Sequence, residues 1–201
     1  VNGRLVAEGS DYERIRLTRV PGGSSWDGIK FSNTLMDNRL SYIDMEYGDS
    51  QGESVNIQSS RVMLDNMTWV STGGTTQILD MSHPSALITH CVFPTVGGIE
   101  TVHGTDLVGQ EYLIFADNTF GSTSGYNDIV DFTGGQRPGP IIQFYNNTFL
   151  GGGVDGPDLD ATDAHVEGNL FTNFHQTTPD QDSPSYAVAT GDKSQVCIVR
   201  N

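Results

Sequence analysis

The stretch Ile142-Gln143-Phe144-Tyr145-Asn146-Asn147-Thr148-Phe149 decides the fold. Side chains alternate along an extended chain, so Ile142 and Phe144 face one way and Gln143 the other. A polar corner follows, and two residues past its last Asn comes a Phe that points back to the apolar side. An Asn tolerates unusual backbone angles at a tight corner and bonds neighbouring backbone groups. The same phrase occurs as Leu113-Ile114-Phe115 with Asp117-Asn118-Thr119-Phe120. It occurs again as Ala164-His165-Val166 with Gly168-Asn169-Leu170-Phe171, and it begins once more at Val196-Cys197-Ile198. Cys91 and Phe93 take the Asn and Phe places in an earlier copy, and Trp69 takes a Phe place.

A second strand recurs in phase with the first. It reads Ile29-Lys30-Phe31, Val55-Asn56-Ile57, Leu79-Asp80-Met81, Val102-His103-Gly104, Val130-Asp131-Phe132, Pro157-Asp158-Leu159 and Val188-Ala189-Thr190. The spacing of roughly two dozen residues is that of a solenoid, whose coils bury their apolar faces only by stacking on their neighbours. Asn side chains at successive corners are expected to form a hydrogen-bonded ladder. The expected interior holds Ile29, Phe31, Val55, Ile57, Leu79, Met81, Val130, Phe132, Leu113, Phe115, Ile142, Phe144, Phe149 and Phe171.

These paired strands and Asn corners resemble a right-handed parallel β-helix of the pectate-lyase-like superfamily. The resemblance covers nearly the whole chain. Arg4-Leu5-Val6-Ala7-Glu8-Gly9, Arg14-Ile15-Arg16-Leu17-Thr18, Asn38-Arg39-Leu40-Ser41-Tyr42 and Ala164-His165-Val166-Glu167-Gly168-Asn169 also resemble β-helix segments of large modular secreted bacterial proteins. The expectation is an all-β chain, one parallel β-helix domain over residues 1–201, with about eight coils. The chain stops on a corner residue, Asn201, before the Phe that would follow. A longer solenoid with flanking modules is therefore expected, in a secreted or cell-surface bacterial protein.

Twenty-five acidic residues against 10 basic ones leave a net charge of -15 over 201 residues. This argues against nucleic acid, whose phosphates require Lys and Arg. No apolar run approaches the roughly 20 residues of a membrane span. Cys91 and Cys197 lie about four coils apart; at ~4.8 Å per coil that exceeds the ~7 Å limit for a disulfide. Free and mostly buried thiols are expected.

The middle residue of the second strand lies between two inward ones and should face outward. Coil by coil it is Lys30, Asn56, Asp80, His103, Asp131, Asp158 and Ala189. Asp160 follows on the same face two residues after Asp158. Carboxylates stacked about 5 Å apart repel unless one is protonated or a cation intervenes. Three readings stay open: a solvated acidic face, a Ca²⁺ site on Asp80, Asp131, Asp158 and Asp160, and a catalytic site. In the last, Asp131 and Asp158 supply the paired carboxylates of glycoside chemistry, and His103 an acid–base group. Arg137, in the Gly/Pro-rich turn 133–140, would overhang the wall, pairing with Asp158 or clamping a substrate carboxylate.

Superfamily relatives hold polysaccharides on this face, and its lyases combine Ca²⁺ with a basic residue. The resemblance to a lyase is partial, since the only lysines are Lys30 and Lys193. The polygalacturonase pattern is incomplete too: His103-Gly104 is present, but its Asp-Asp pair and Arg-x-Lys motif are absent. The first expectation is thus a non-catalytic scaffold module, cation-stabilised and contacting polysaccharide. The second is a polysaccharide lyase or glycoside hydrolase. The polar segment Gln176 to Ser185 is expected to be a surface loop bordering the Asp158 end of the wall.

Overall fold

The computed structural model describes residues 1–48, 52–70, 77–174 and 185–201. It contains strands and no helix among those residues. The chain winds through three parallel sheets of eight, seven and seven strands, visiting them in strict rotation. Seven three-strand coils are followed by one further strand of the first sheet, close to the expected coil number.

The first sheet runs from Val6–Glu8 to Val196–Val199 and includes Tyr112–Ala116, Ile142–Tyr145 and Ala164–Glu167. The third runs from Ile29–Ser32 to Ala189–Thr190. Both of these were legible in the residue pattern, with the same register. The second sheet was not separated from the Asn corner. Its strands are as short as Thr119–Phe120, Thr148–Phe149 and Leu170–Phe171, and each supplies the inward ring after the corner. A two-residue strand has no alternation of its own to be recognised by, so the coil read as two-sided when it is three-sided.

The interior is built of stacked rows. Trp69, Phe93, Phe120, Phe149 and Phe171 stack face to face, with centroids 4.7, 4.7, 4.7 and 4.8 Å apart. Phe115 and Phe144 stack beside them at 5.3 Å and meet Phe120 and Phe149 edge-on. The coil rise of a parallel sheet is what sets this spacing. Of the expected interior residues, Ile29 and Phe171 are only partly buried. Ile29 lies in the first of the seven coils, and Phe171 is the last ring of the stack, so each lacks one covering neighbour.

Beside the rings runs the Asn ladder. Asn118 Nδ2 donates to Ile88 O within the coil core and to Asn147 Oδ1 in the next coil, both at 2.9 Å. Asn147 and Asn169 repeat this geometry, and Asn201 receives the last rung. The residue before each ladder Asn sits in the left-handed region, with φ of 56° at Asp117, 53° at Asn146 and 71° at Gly168. Cys91 starts the ladder, its backbone N–H donating to Asn118 Oδ1. Its thiol points at Leu64 O and Thr89 O, and burial pushes it up to about 12.

Both cysteines are free. Cys197, however, is exposed. It pairs in register with His165, an outward position of the first sheet, so alternation turns its thiol to solvent.

Candidate functional site

The third sheet positions the acidic wall. Its ladder places Lys30, Asn56, Asp80, His103, Asp131, Asp158 and Ala189 in a single row of consecutive partners. Leu159 is fully buried beside Asp158, as the alternation requires. Gly104 keeps the inward row open at the centre of the wall: a Cβ there would come within 2.8 Å of the Phe132 ring.

The row is not uniform. At its middle, Asp80 Oδ1 accepts from His103 Nδ1 at 2.9 Å, and Asp80 Oδ2 accepts from Asn56 Nδ2 at 2.8 Å. Asp131 and Asp158 stand further along. Asp160 is exposed, and its carboxylate leans over Gly191 of the following strand. The four carboxylates expected to share one ion therefore do not converge. Asp80 is engaged with His103 and Asn56, and neither it nor the exposed Asp160 joins a group of three or more donor atoms within 4.8 Å of one another, although the Asp160 charge acts on Asp131 and Asp158.

What converges instead is a second row, three residues ahead of the first. Glu53, Gln77, Glu100, Asp128 and Asp155 precede Asn56, Asp80, His103, Asp131 and Asp158 by the same interval. The corner before each strand of the third sheet folds this residue over the strand face. Two groups result, each with donor atoms all within 4.8 Å of one another: Glu100, His103 and Asp131, and Asp128, Asp155 and Asp158. All of these but His103 line a cleft of about 370 Å³, together with Tyr126, Val154 and Tyr186. The three-residue interval was present in the sequence. Alternation holds only inside the strands, so it assigns no direction to a residue in the corner before them.

Arg137 stands apart from the wall it was expected to overhang. It does not overhang Asp131 or Asp158. Its Nη1 lies 3.3 Å from Asp163 Oδ2 and donates to Gln195 O, and its backbone N–H also donates to Asp163. The Asp163 side chain is buried at the opposite corner, and the Arg137 guanidinium offsets its charge there. Among the described residues, no Lys or Arg lines the acidic cleft. Residues 176–184 of the expected loop lie outside the described residues, but Tyr186, just beyond it, does line the cleft.

No protein-family model, curated protein or solved structure matches this chain.

The electrostatics follow from crowding under partial burial. Burial pushes Asp128 up to about 7, with repulsion from Asp158, Asp155 and Asp131 adding to it, against one hydrogen bond from the Asp155 N–H. Burial, then Asp160, Asp131 and Asp155, pushes Asp158 up to about 6. Burial also raises Asp131, Asp155 and Glu100. His103 is raised by its hydrogen bond to Asp80, with burial opposing.

These directions give the stability a sign. A carboxylate raised in the fold binds its proton more tightly there than in the unfolded chain. Its stabilising protonation is lost as pH rises from about 4, the unfolded value, through the folded one. His103 acts in the same sense at higher pH. In EDTA the melting temperature is thus expected to be higher at pH 5 than at pH 8. A melting temperature that rises from pH 5 to pH 8 would contradict the crowded arrangement.

The donor chemistry fits a hard divalent cation. Ca²⁺ favours several carboxylate oxygens at once, and Asp128, Asp155 and Asp158 converge to offer them. Asp155 is 7% exposed, with one oxygen held by the Tyr186 N–H.

Proposed function

We propose that this chain is a non-catalytic scaffold module of the pectate-lyase-like superfamily, part of a secreted or cell-surface bacterial protein. In this reading Ca²⁺ stabilises its acidic wall and the adjoining cleft contacts polysaccharide. The observation that carries it is the meeting of Asp128, Asp155 and Asp158 within 4.8 Å. Such a concentration of charge costs stability unless it is neutralised. Tyr126 and Tyr186, 69% and 49% exposed, flank it with rings suited to a sugar face. Ca²⁺ would be held by the three aspartates, supplying charge compensation and a bridge to a sugar's oxygens.

A second reading is a carbohydrate-active enzyme, and one observation favours it. Asp131 and Asp158 are direct neighbours on adjacent strands, and the strand spacing of about 5 Å is near the carboxyl separation of retaining glycosidases. Asp158, raised to about 6, would be the acid and Asp131 the nucleophile. The lyase version is the weaker one, because Arg137 is committed to Asp163.

Asp158→Asn, examined alongside the unchanged chain, separates the two. The scaffold reading expects no sugar release from a polysaccharide panel by either protein, and polysaccharide retention that needs Ca²⁺ and is lost in the variant. Release of reducing ends by the unchanged chain, abolished in a variant that still folds, would replace it with the enzyme reading. Ca²⁺-independent retention would remove the cation from the contact.

A further inference from the structure

We infer that Glu100, His103 and Asp131 form a site for a divalent transition-metal ion of the Zn²⁺ type, separate from the calcium set. The inference stands on three observations. The first is the donor set: one imidazole nitrogen and two carboxylate oxygens lie within 4.8 Å of one another, and the residues that carry the two carboxylates line the cleft. Imidazole suits Zn²⁺ and its first-row neighbours, whereas Ca²⁺ takes oxygen ligands.

The second is the support behind the imidazole. His103 Nδ1 is occupied by Asp80 at 2.9 Å, and Asp80 is fixed in turn by Asn56 at 2.8 Å. Metal-ligating histidines usually give their other ring N–H to a carboxylate, which fixes the tautomer and leaves a lone pair for the ion. Here Nε2 is the nitrogen left over. Asp80, expected from the sequence to be a ligand, becomes a positioning residue.

The third observation is independent of the other two. Glu100 Oε2 is closed off from solvent and has no hydrogen-bond partner. An orphaned carboxylate oxygen is costly to bury, and a cation shared with His103 and Asp131 removes that cost. Three protein donors leave coordination positions open to the cleft.

The inference does not rest on the calcium reading, and its test is run with calcium present. The tag-free chain, in millimolar Ca²⁺, is titrated with Co²⁺ and followed by visible d–d absorption, and the signal is then displaced with Zn²⁺. One equivalent is expected to bind. His103→Gln and Glu100→Gln should each weaken Co²⁺ binding about tenfold or more, and Asp80→Asn about tenfold with an altered spectrum. His165→Gln and Asp155→Asn should leave the Co²⁺ spectrum in place. Far-UV circular dichroism and the melting midpoint confirm that each variant is folded. Co²⁺ affinity equal in the unchanged chain and in folded His103→Gln and Glu100→Gln would overturn the site. So would a signal lost in His165→Gln, or one lost in Asp155→Asn and competed away by Ca²⁺.

Discussion

Replacing Phe120 by alanine lowers the unfolding free energy by about 3–5 kcal/mol, the range for truncating a buried aromatic. Phe120 is fully buried and has a ring stacked on each face, Phe93 on one side and Phe149 on the other. Phe115 closes its edge at 5.9 Å. The rings above and below are held at the coil spacing by the sheet hydrogen bonds, so they cannot collapse into the gap. Phe171→Ala, at the partly covered end of the same stack, costs less because one face already lacks a full neighbour. Urea denaturation of the two variants and of Thr119→Ala checks this. A Phe120→Ala midpoint matching that of Thr119→Ala would mean that the ring stack is misplaced.

The second large effect lies in the Asn ladder. Asn147 accepts from the N–H and Nδ2 of Asn118 at 3.0 and 2.9 Å, and it donates to Phe115 O and Asn169 Oδ1. Its side chain is 1% exposed. Asn147→Ala leaves the Asn118 N–H and one Asn118 Nδ2 hydrogen without their acceptor in the interior, and takes one donor from the Phe115 carbonyl. At about 1–3 kcal/mol for each orphaned group, the loss is about 3 kcal/mol or more. Asn201→Ala removes the same chemistry at an exposed residue, where water can replace the lost bonds, so its cost is expected to be much smaller. Equal urea midpoints for the two variants would contradict a buried, fully paired ladder.

These two rows explain what was legible in the residues and what was not. Inward apolar positions such as Leu113, Phe115, Ile142 and Phe144 announce themselves, because a strand buried on one side alternates strictly and a solenoid repeats the alternation. Asn118, Asn147 and Asn169 are legible for the same reason: one corner geometry recurs and one residue type satisfies it. The register held even at Asp158, where a slip of one residue would have turned Leu159 outward. Cys197 shows the limit of reading a residue by type. Its strand position, not its apolar character, decides its exposure.

The site was legible in only one of its two dimensions. Asp131, Asp158 and His103 followed from strand alternation. Glu100, Asp128 and Asp155 sit in corners, where no alternation applies, and the direction of their side chains depends on how the turn folds back. Arg137 failed for a related reason. Position along the chain placed it just after Asp131, but the turn carries it to the next corner, where the buried charge of Asp163 claims it.

Calorimetric melting of the purified chain at neutral pH, first in EDTA and then in millimolar Ca²⁺, tests the central claim most directly. An ion that binds only the folded state stabilises it in proportion to the logarithm of its concentration over its dissociation constant. The account predicts a midpoint several degrees higher in Ca²⁺, with Asp128→Asn combined with Asp158→Asn removing the difference. Superimposable melts of the unchanged chain in EDTA and Ca²⁺ would contradict it, leaving the acidic wall a solvated face.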